Sequence, residues 1–128
     1  MTARKILVVE DNDMNMQLVE YLLEEGGFEI AKASSGEEAL ALARDPATIA
    51  PDLILMDIHL PGMDGLSVVR AMKSDEHMRQ VPILALTAHA MRGDKDRFLE
   101  AGCDGYISKP IDVKTFITSI EQYIKDEG

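Results

Sequence analysis

Short apolar runs alternate with amphipathic stretches along the chain. The runs begin near Lys5, Glu29, Asp52 or Leu53, Pro82 and Gly105. Counted from Leu53, their spacings are 24, 24, 29 and 23 residues, and each interval holds one strand and one crossover helix. The runs at 6–9, 53–56 and 83–86 do not alternate with polar residues, as expected for parallel strands covered on both faces. The pattern predicts five repeated βα units.

The first two amphipathic stretches predict helices with recognisable ends. Gly26 and Gly27 are expected to end the first helix, since glycine is common just beyond a helix. Ser35 followed by Glu38 forms a capping box that begins the second helix, and Pro46 is expected to stop it. The apolar stripe of the first helix consists of Leu18, Val19, Leu22 and Leu23.

A last helix is predicted near the end of the chain, with Asp112 as its cap. Its apolar stripe consists of Val113, Phe116, Ile117, Ile120, Tyr123 and Ile124. Five βα units with right-handed crossovers make a doubly wound, flavodoxin-like α/β fold. Its five-stranded parallel sheet is expected to have the order 2-1-3-4-5, and residues 1–128 are expected to form a single domain.

The charge balance narrows the classes of partner. The chain carries 13 Lys and Arg against 23 Asp and Glu, a net charge of −10, which would repel a nucleic-acid backbone or an anionic membrane. One cysteine, Cys103, cannot form an internal disulfide, and no early apolar run has the length of a secretion signal. The sequence therefore predicts a cytoplasmic protein that binds neither nucleic acid nor membranes directly.

Polar residues follow four of the five predicted strands. Glu10 and Asp11 come after strand one, Asp57 after strand three, Thr87 after strand four and Lys109 after strand five. In an open α/β sheet, ligands bind beyond the carboxyl ends of the strands. Because the four strands are neighbours in the order 2-1-3-4-5, these five side chains should converge on one site.

Three carboxylates in one site need a compensating charge. Two like charges about 4 Å apart repel by roughly 4 kcal/mol at an effective dielectric constant of 20. Mg²⁺ supplies that compensation and prefers oxygen ligands. With a carboxylate nucleophile, the Lys109 cation and the Thr87 hydroxyl, the set has the parts needed for phosphoryl transfer.

The motifs that carry these residues resemble the receiver domain of two-component response regulators. They lie at residues 8–12, 52–57, 61–65, 86–88 and 106–110, in the family's order. Within the family, the chain resembles a stand-alone receiver that regulates cell polarity and division. The resemblance implies a receiver without an output domain, recruited to a cell pole by its partners.

The resemblance also assigns roles at the site. Asp57 would accept a phosphoryl group from a histidine of a partner kinase or a histidine phosphotransfer protein. Glu10, Asp11, Asp57 and the backbone carbonyl of His59 would hold Mg²⁺, with Mn²⁺ as an alternative ion. Thr87 and Lys109 would bind phosphate oxygens. The protein would be a signalling phosphoacceptor and no enzyme beyond its own phosphotransfer and dephosphorylation.

The signal would leave the domain through a protein contact. In the family, Thr87 and Tyr106 act as switch residues that remodel the face made by helix four, strand five and helix five, where an effector would bind. The Lys109–Pro110 peptide bond is expected to be cis. The resemblance is compatible with a monomer or with a weak, phosphorylation-dependent dimer.

Other functions fit parts of the pattern. A receiver fragment of a hybrid kinase would carry the same motifs. A flavin electron carrier would need a hydroxyl- and amide-rich phosphate loop after strand one, whereas the acidic run at residues 10–13 would repel a phosphate. An aspartyl phosphohydrolase usually has a second acid where His59 stands. His59 and His89 follow Asp57 and Thr87 by two residues. Each is either an ordinary, partly exposed polar residue, which is the commoner case, or an imidazole at the rim of the site that tunes the phosphate lifetime.

Two further aspartates are set apart from the site. Asp13 is expected to serve a helix start, and Asp64 a tight Asp-Gly turn.

Overall fold

A single parallel sheet forms the centre of the computed structural model, which describes residues 4–45, 47, 50–60, 62, 64–87 and 94–124. The strands are β1 (Lys5–Val9), β2 (Glu29–Ala33), β3 (Leu53–Asp57), β4 (Ile83–Thr87) and β5 (Gly105–Ser108). The helices are α1 (Asp13–Glu25), α2 (Gly36–Arg44), α3 (Gly65–Lys73), α4 (Asp94–Ala101) and α5 (Phe116–Tyr123). The strand order β2-β1-β3-β4-β5 confirms the predicted fold class and topology.

Two apolar layers cover the sheet because successive strand residues point to opposite faces. On one face, Leu7 and Ile54 pack with residues of α2, α3 and α4. On the other face, Ile6 and Leu53 pack with residues of α1 and α5. Both faces of β3 and β4 are therefore buried, which explains why these strands are apolar without alternation.

The predicted end of α1 and start of α2 are largely confirmed. Gly26 caps α1, and Gly27 follows with a φ of 86°, a left-handed conformation that glycine adopts without strain. Ser35 caps α2 by accepting the Glu38 N–H at 3.1 Å. The capping box is only half formed, however, because the Glu38 carboxylate accepts the Ser34 hydroxyl instead, at 3.0 Å. Pro46 lies outside the described residues.

The prediction that Leu18 and Val113 belong to buried apolar stripes is wrong. Leu18 is 39% exposed, because it lies roughly 90° around α1 from the centre of the buried side, at 100° per residue. Val113 is 58% exposed and precedes α5, which begins at Phe116.

The predicted roles of two aspartates also need correction. Asp112 does not cap α5: its side chain accepts the Lys114 N–H at 3.0 Å, and its carbonyl accepts the N–H groups of Thr115 and Phe116. It therefore organises the turn that leads into the helix, and Thr115 takes the capping position without a side-chain hydrogen bond. Asp64 is the N-cap of α3, where its carboxylate accepts the Leu66 N–H at 3.1 Å.

The helices are short. In the described part of the chain, no helix is both long enough and apolar enough to cross a membrane.

Candidate functional site

The predicted site residues lie together at the carboxyl end of the sheet. Glu10 and Lys109 directly follow β1 and β5, whereas Asp57 and Thr87 are the last residues of β3 and β4 rather than residues beyond them. Strand pairing brings these ends together, since Asp57 lies opposite Leu86 in β4 and Thr87 opposite Ser108 in β5. In the described part of the chain, the buried polar or charged residues are Glu10, Asp57 and Thr87, all in this site.

Three carboxylates meet as the strand order predicts. Glu10, Asp11 and Asp57 each offer one oxygen atom, and these atoms all lie within 4.8 Å of one another. Glu10 and Asp57 are buried and Asp11 is exposed, so the cluster opens to solvent on one side. This arrangement concentrates negative charge where a cation can approach.

Lys109 lies against two of these carboxylates. Its Nζ is 2.8 Å from Glu10 Oε2 and 3.4 Å from Asp57 Oδ2. Its backbone N–H donates to the Thr87 carbonyl at 2.7 Å, which fixes the end of β5 against β4. The sequence predicts that Lys109 faces the acids, but not that its shorter contact is with Glu10.

Backbone donors fix the remaining oxygen atoms of the buried acids. The His59 N–H donates to Asp57 Oδ1 at 2.9 Å, and the Asn12 N–H donates to Glu10 Oε1 at 3.2 Å. Asn12 also caps α1, because its side chain accepts the Asn15 N–H at 3.0 Å. The side chain of His59 is exposed, whereas His89 lies outside the described residues.

Gly65 allows α3 to start directly against the end of β3. A Cβ atom at this position would lie 2.5 Å from the Asp57 carbonyl oxygen and 2.7 Å from the Ile58 Cα. Both neighbours are backbone atoms, so a larger residue would displace the peptide that carries Asp57. Sequence reasoning missed this contact, although the Asp64-Gly65 pair marked a place where the chain needs a small residue.

Burial and charge shift two pKa values in the site. Burial raises the pKa of Glu10, and the nearby charge of Asp57 adds to this rise, whereas the hydrogen bond from Lys109 opposes it. Burial alone would lower the pKa of Lys109, but its hydrogen bond to Glu10 and the charges of Asp57 and Glu10 outweigh that effect and raise it. Lys109 therefore stays protonated beside an excess of negative charge.

Comparison with known proteins identifies the family. The family model of the response regulator receiver domain matches residues 6–121. This range contains the five strands except for Lys5, the first residue of β1, and all but the last two residues of α5. The chain belongs to the response regulator receiver family. The resemblance of its motifs to this family is confirmed, and the protein is a receiver of two-component signalling.

The receiver is similar to regulators of polar differentiation. It is 48% identical over 124 residues to the polar-differentiation response regulator DivK of Brucella ovis, covering 97% of this chain and 98% of that protein. The DivK of Brucella anthropi is 46% identical over 123 residues, or 96% of this chain and 98% of that protein.

Solved structures show the same fold. The chemotaxis response regulator CheY4 of Vibrio cholerae has a TM-score of 0.88 at 29% identity and covers 96% of this chain and 100% of that chain. The receiver domain of the sensor histidine kinase PA1611 of Pseudomonas aeruginosa has a TM-score of 0.83 at 34% identity. The match covers 95% of this chain and 98% of that chain. That structure is described with a magnesium ion coordinated in its active-site cleft.

The acids of this receiver fit a hard divalent cation. Their donors are all oxygen atoms, as Mg²⁺ prefers. If all three acids are ionised, the three carboxylates and the Lys109 ammonium together carry −3 + 1 = −2, which one divalent ion would balance. Mn²⁺ also accepts such a ligand set.

Tyr106 lies in β5, and Pro110 directly follows Lys109. Tyr106 is 38% exposed, and its ring meets that of Phe98 edge to face at 6.0 Å between centroids. The Lys109–Pro110 peptide bond is cis, as the resemblance implies. The switch role of Tyr106 stays a prediction.

Proposed function

We propose that this protein is a stand-alone response regulator of a two-component phosphorelay. It accepts a phosphoryl group on Asp57 from a histidine kinase or a histidine phosphotransfer protein and then changes its protein contacts. The observation that carries the proposal is the cluster of Glu10, Asp11 and Asp57 with Lys109 against it. The similarity to DivK supports a role in cell polarity and the cell cycle.

The residues of the site divide the work of phosphoryl transfer. One carboxylate oxygen of Asp57 forms a bond to phosphorus while the phosphorus–nitrogen bond of the phosphohistidine breaks, and the leaving imidazole takes up a proton. Lys109 moves from Glu10 toward a phosphate oxygen, and the Thr87 hydroxyl donates to another. These donors stabilise the charge that builds up on the transferred group.

Glu10, Asp11, Asp57 and the backbone carbonyl of His59 would hold Mg²⁺, or Mn²⁺ in its place. When bound, such an ion would supply positive charge that offsets the repulsion between the carboxylates and the incoming phosphoryl oxygens. Glu10 and Asp57 are already held by backbone N–H groups and by Lys109, so the acids need little rearrangement to receive it.

The output surface is the face formed by α4, β5 and α5. Leu99, Tyr106 and Val113 are large apolar residues exposed on α4, on β5 and in the turn before α5. Exposed apolar residues on neighbouring elements mark a surface for a protein partner. Thr87 and Tyr106 serve as switch residues that couple this face to Asp57.

A second exposed apolar group lies on α1. Met14, Leu18 and Tyr21 are spaced by four and three residues, so they share one side of the helix. α1 starts two residues after Asp11, so the first turn of this helix is close to the acids along the chain. This side supports docking of a phosphodonor that is itself a protein.

The remaining features follow from this role. The protein acts in the cytoplasm and is recruited to a cell pole by its partners. It is a monomer or a weak dimer formed on phosphorylation, and it turns over no external substrate. The higher identity to DivK than to the kinase receiver, 48% against 34%, favours this role over a fragment of a hybrid kinase.

Phosphorylation in vitro tests the proposal. Wild-type protein incubated with acetyl phosphate and Mg²⁺ should shift on a phosphate-affinity gel, and Asp57→Ala should not. Chelation of the metal should also abolish the shift. Asp96→Ala, which removes an exposed aspartate of α4, is the matched control and should shift like the wild type. A shift in Asp57→Ala, or none in the wild type, would refute the proposal.

Turnover of a small phosphate ester separates the receiver from a phosphohydrolase. The receiver should show no sustained release of p-nitrophenol from p-nitrophenyl phosphate. Sustained release that depends on Asp57 would assign the protein to the enzyme class instead.

A further inference from the structure

Asn12 links the start of α1 to the acids of the site. Its side-chain oxygen accepts the Asn15 N–H at 3.0 Å, and its carbonyl accepts the Met16 N–H at 2.9 Å. Its own N–H donates to Glu10 Oε1 at 3.2 Å. Asn12 is therefore tied to the helix on one side and to a buried carboxylate on the other.

Glu10 extends this link across the site. While its Oε1 accepts from Asn12, its Oε2 contacts Lys109 Nζ at 2.8 Å, and Lys109 reaches Asp57 at 3.4 Å. A continuous series of polar contacts thus joins the first turn of α1 to Asp57. Each member has a partner on both sides, so a displacement at Asn12 is passed on to Glu10 and Lys109.

The position of Asp11 depends on the same hydrogen bonds of Glu10 and Asn12. It stands between Glu10 and Asn12, and its exposed side chain makes no hydrogen bond or ion pair to another described residue. Within the described part of the chain, its carboxylate is therefore positioned by the backbone on either side of it. That backbone is held at Glu10, whose N–H donates to the Ala33 carbonyl at 3.1 Å, and at Asn12.

We propose that Asn12 is a positioning residue for the metal site, which its side chain supports by holding the loop of Glu10 and Asp11 against the start of α1. This inference rests on the function proposed above, because it assigns Asn12 to the binding of Mg²⁺ by these acids. Asn12 itself is not a ligand. Outer contacts of this kind orient metal ligands, and their loss typically weakens metal binding by roughly 10- to 100-fold.

A purely structural helix cap would behave differently. Loss of an N-cap destabilises a protein wherever the helix lies, so reduced stability alone does not distinguish the two roles. Ser35 offers the matched comparison, because its hydroxyl caps α2 through the Glu38 N–H at 3.1 Å and bonds to no site residue among those described. Ser35→Ala removes a cap without touching the loop of the acids.

The test is a titration of ¹⁵N-labelled protein with MgCl₂, in which the amide chemical shifts of the site residues report Mg²⁺ binding. Thermal unfolding of each variant is measured in parallel. In Asn12→Ala the Mg²⁺ dissociation constant should rise roughly tenfold or more. In Ser35→Ala it should stay at the wild-type value despite a similar fall in unfolding temperature. Asn12→Ser, which can cap a helix about as well as Asn, should bring the constant back to within about twofold of wild type.

Equal Mg²⁺ binding by Asn12→Ala and wild type would overturn the inference, as would the same weakening in Ser35→Ala. If Asn12→Ala does not fold, Asn12→Gly replaces it, since glycine is tolerated at an N-cap but has no side-chain acceptor, and it should show the same weakening. A wild-type protein that binds no Mg²⁺ or takes no phosphoryl group would instead refute the proposed function, so the two failures are distinguishable.

Discussion

At the residue scale, the position of each acid could be predicted but the contacts between side chains could not. The ends of parallel strands converge on one edge of the sheet, so Glu10, Asp57 and Lys109 had to come close together. Which carboxylate Lys109 prefers depends on side-chain length and rotamer, which a strand pattern does not encode. Because Glu10 is longer than Asp57 by one methylene, it can reach Lys109 while still accepting from the Asn12 N–H.

Removal of Lys109 should increase the effect of Mg²⁺ on stability. In the wild type the ammonium already offsets part of the charge that the ion would neutralise. Lys109→Met should bind Mg²⁺ roughly tenfold more tightly, which adds about 1.4 kcal/mol to the free energy of unfolding when the ion is in excess. The increase can be measured by urea unfolding with and without MgCl₂.

The exposed Lys114 supplies the control for this comparison. Lys114→Met lowers the positive charge equally but leaves the site intact, so its Mg²⁺ effect should match that of the wild type. An Mg²⁺ effect in Lys109→Met that is no larger than in Lys114→Met would contradict the account.

The raised pKa of Glu10 predicts a dependence of stability on pH in metal-free protein. As the pH rises above 4.5, the ordinary pKa of this carboxyl, the unfolded chain releases the proton while the folded protein retains it. The folded state therefore loses stability until the pH passes the pKa of Glu10 in the folded protein. Glu10→Gln has no such proton to lose.

The free energy of unfolding of Glu10→Gln relative to wild type should consequently increase as the pH rises from 4.5, and then level off. Urea unfolding of both proteins in EDTA at a series of pH values measures this difference. A difference that stays constant or falls over the interval would show that burial of Glu10 does not penalise its charged form.

At the element scale, strands were easier to predict than helix surfaces. The starts of all five strands agree with the predicted runs to within one residue, because a strand buried on both faces has no polar positions to obscure it. The predicted apolar stripes of the helices include residues that are exposed, since an apolar residue at the edge of a stripe can be exposed without cost. Leu18 and Val113 are such residues, and the proposed docking surfaces give them a reason to be apolar.

Matched substitutions on α1 test this correction. Leu23 is fully buried, so Leu23→Ala should lower the free energy of unfolding by about 2 to 5 kcal/mol. Leu18→Ala should change it by no more than about 0.5 kcal/mol, as for other surface substitutions. Urea unfolding of the two variants gives both values, and a loss of several kcal/mol in Leu18→Ala would place this residue in the core.

At the scale of the whole molecule, topology and charge explain why one function is favoured. The order β2-β1-β3-β4-β5 is one of the common orders of doubly wound sheets, and it places four contributing strands side by side. The net charge of −10 disfavours direct binding of nucleic acid, and part of that charge is the cluster at the ends of β1 and β3. What the sequence could not predict was the support around the cluster from Asn12 and Gly65, because it depends on backbone approach.

The central claim is that Asp57 is the carboxylate that receives the phosphoryl group. Tandem mass spectrometry of the protein after reaction with acetyl phosphate and Mg²⁺ locates that group directly. The account predicts phosphorylation on the peptide that contains Asp57, assigned to this residue and absent after chelation of the metal. A phosphoryl group on Glu10, Asp11 or any other carboxylate, with Asp57 unmodified, would contradict it.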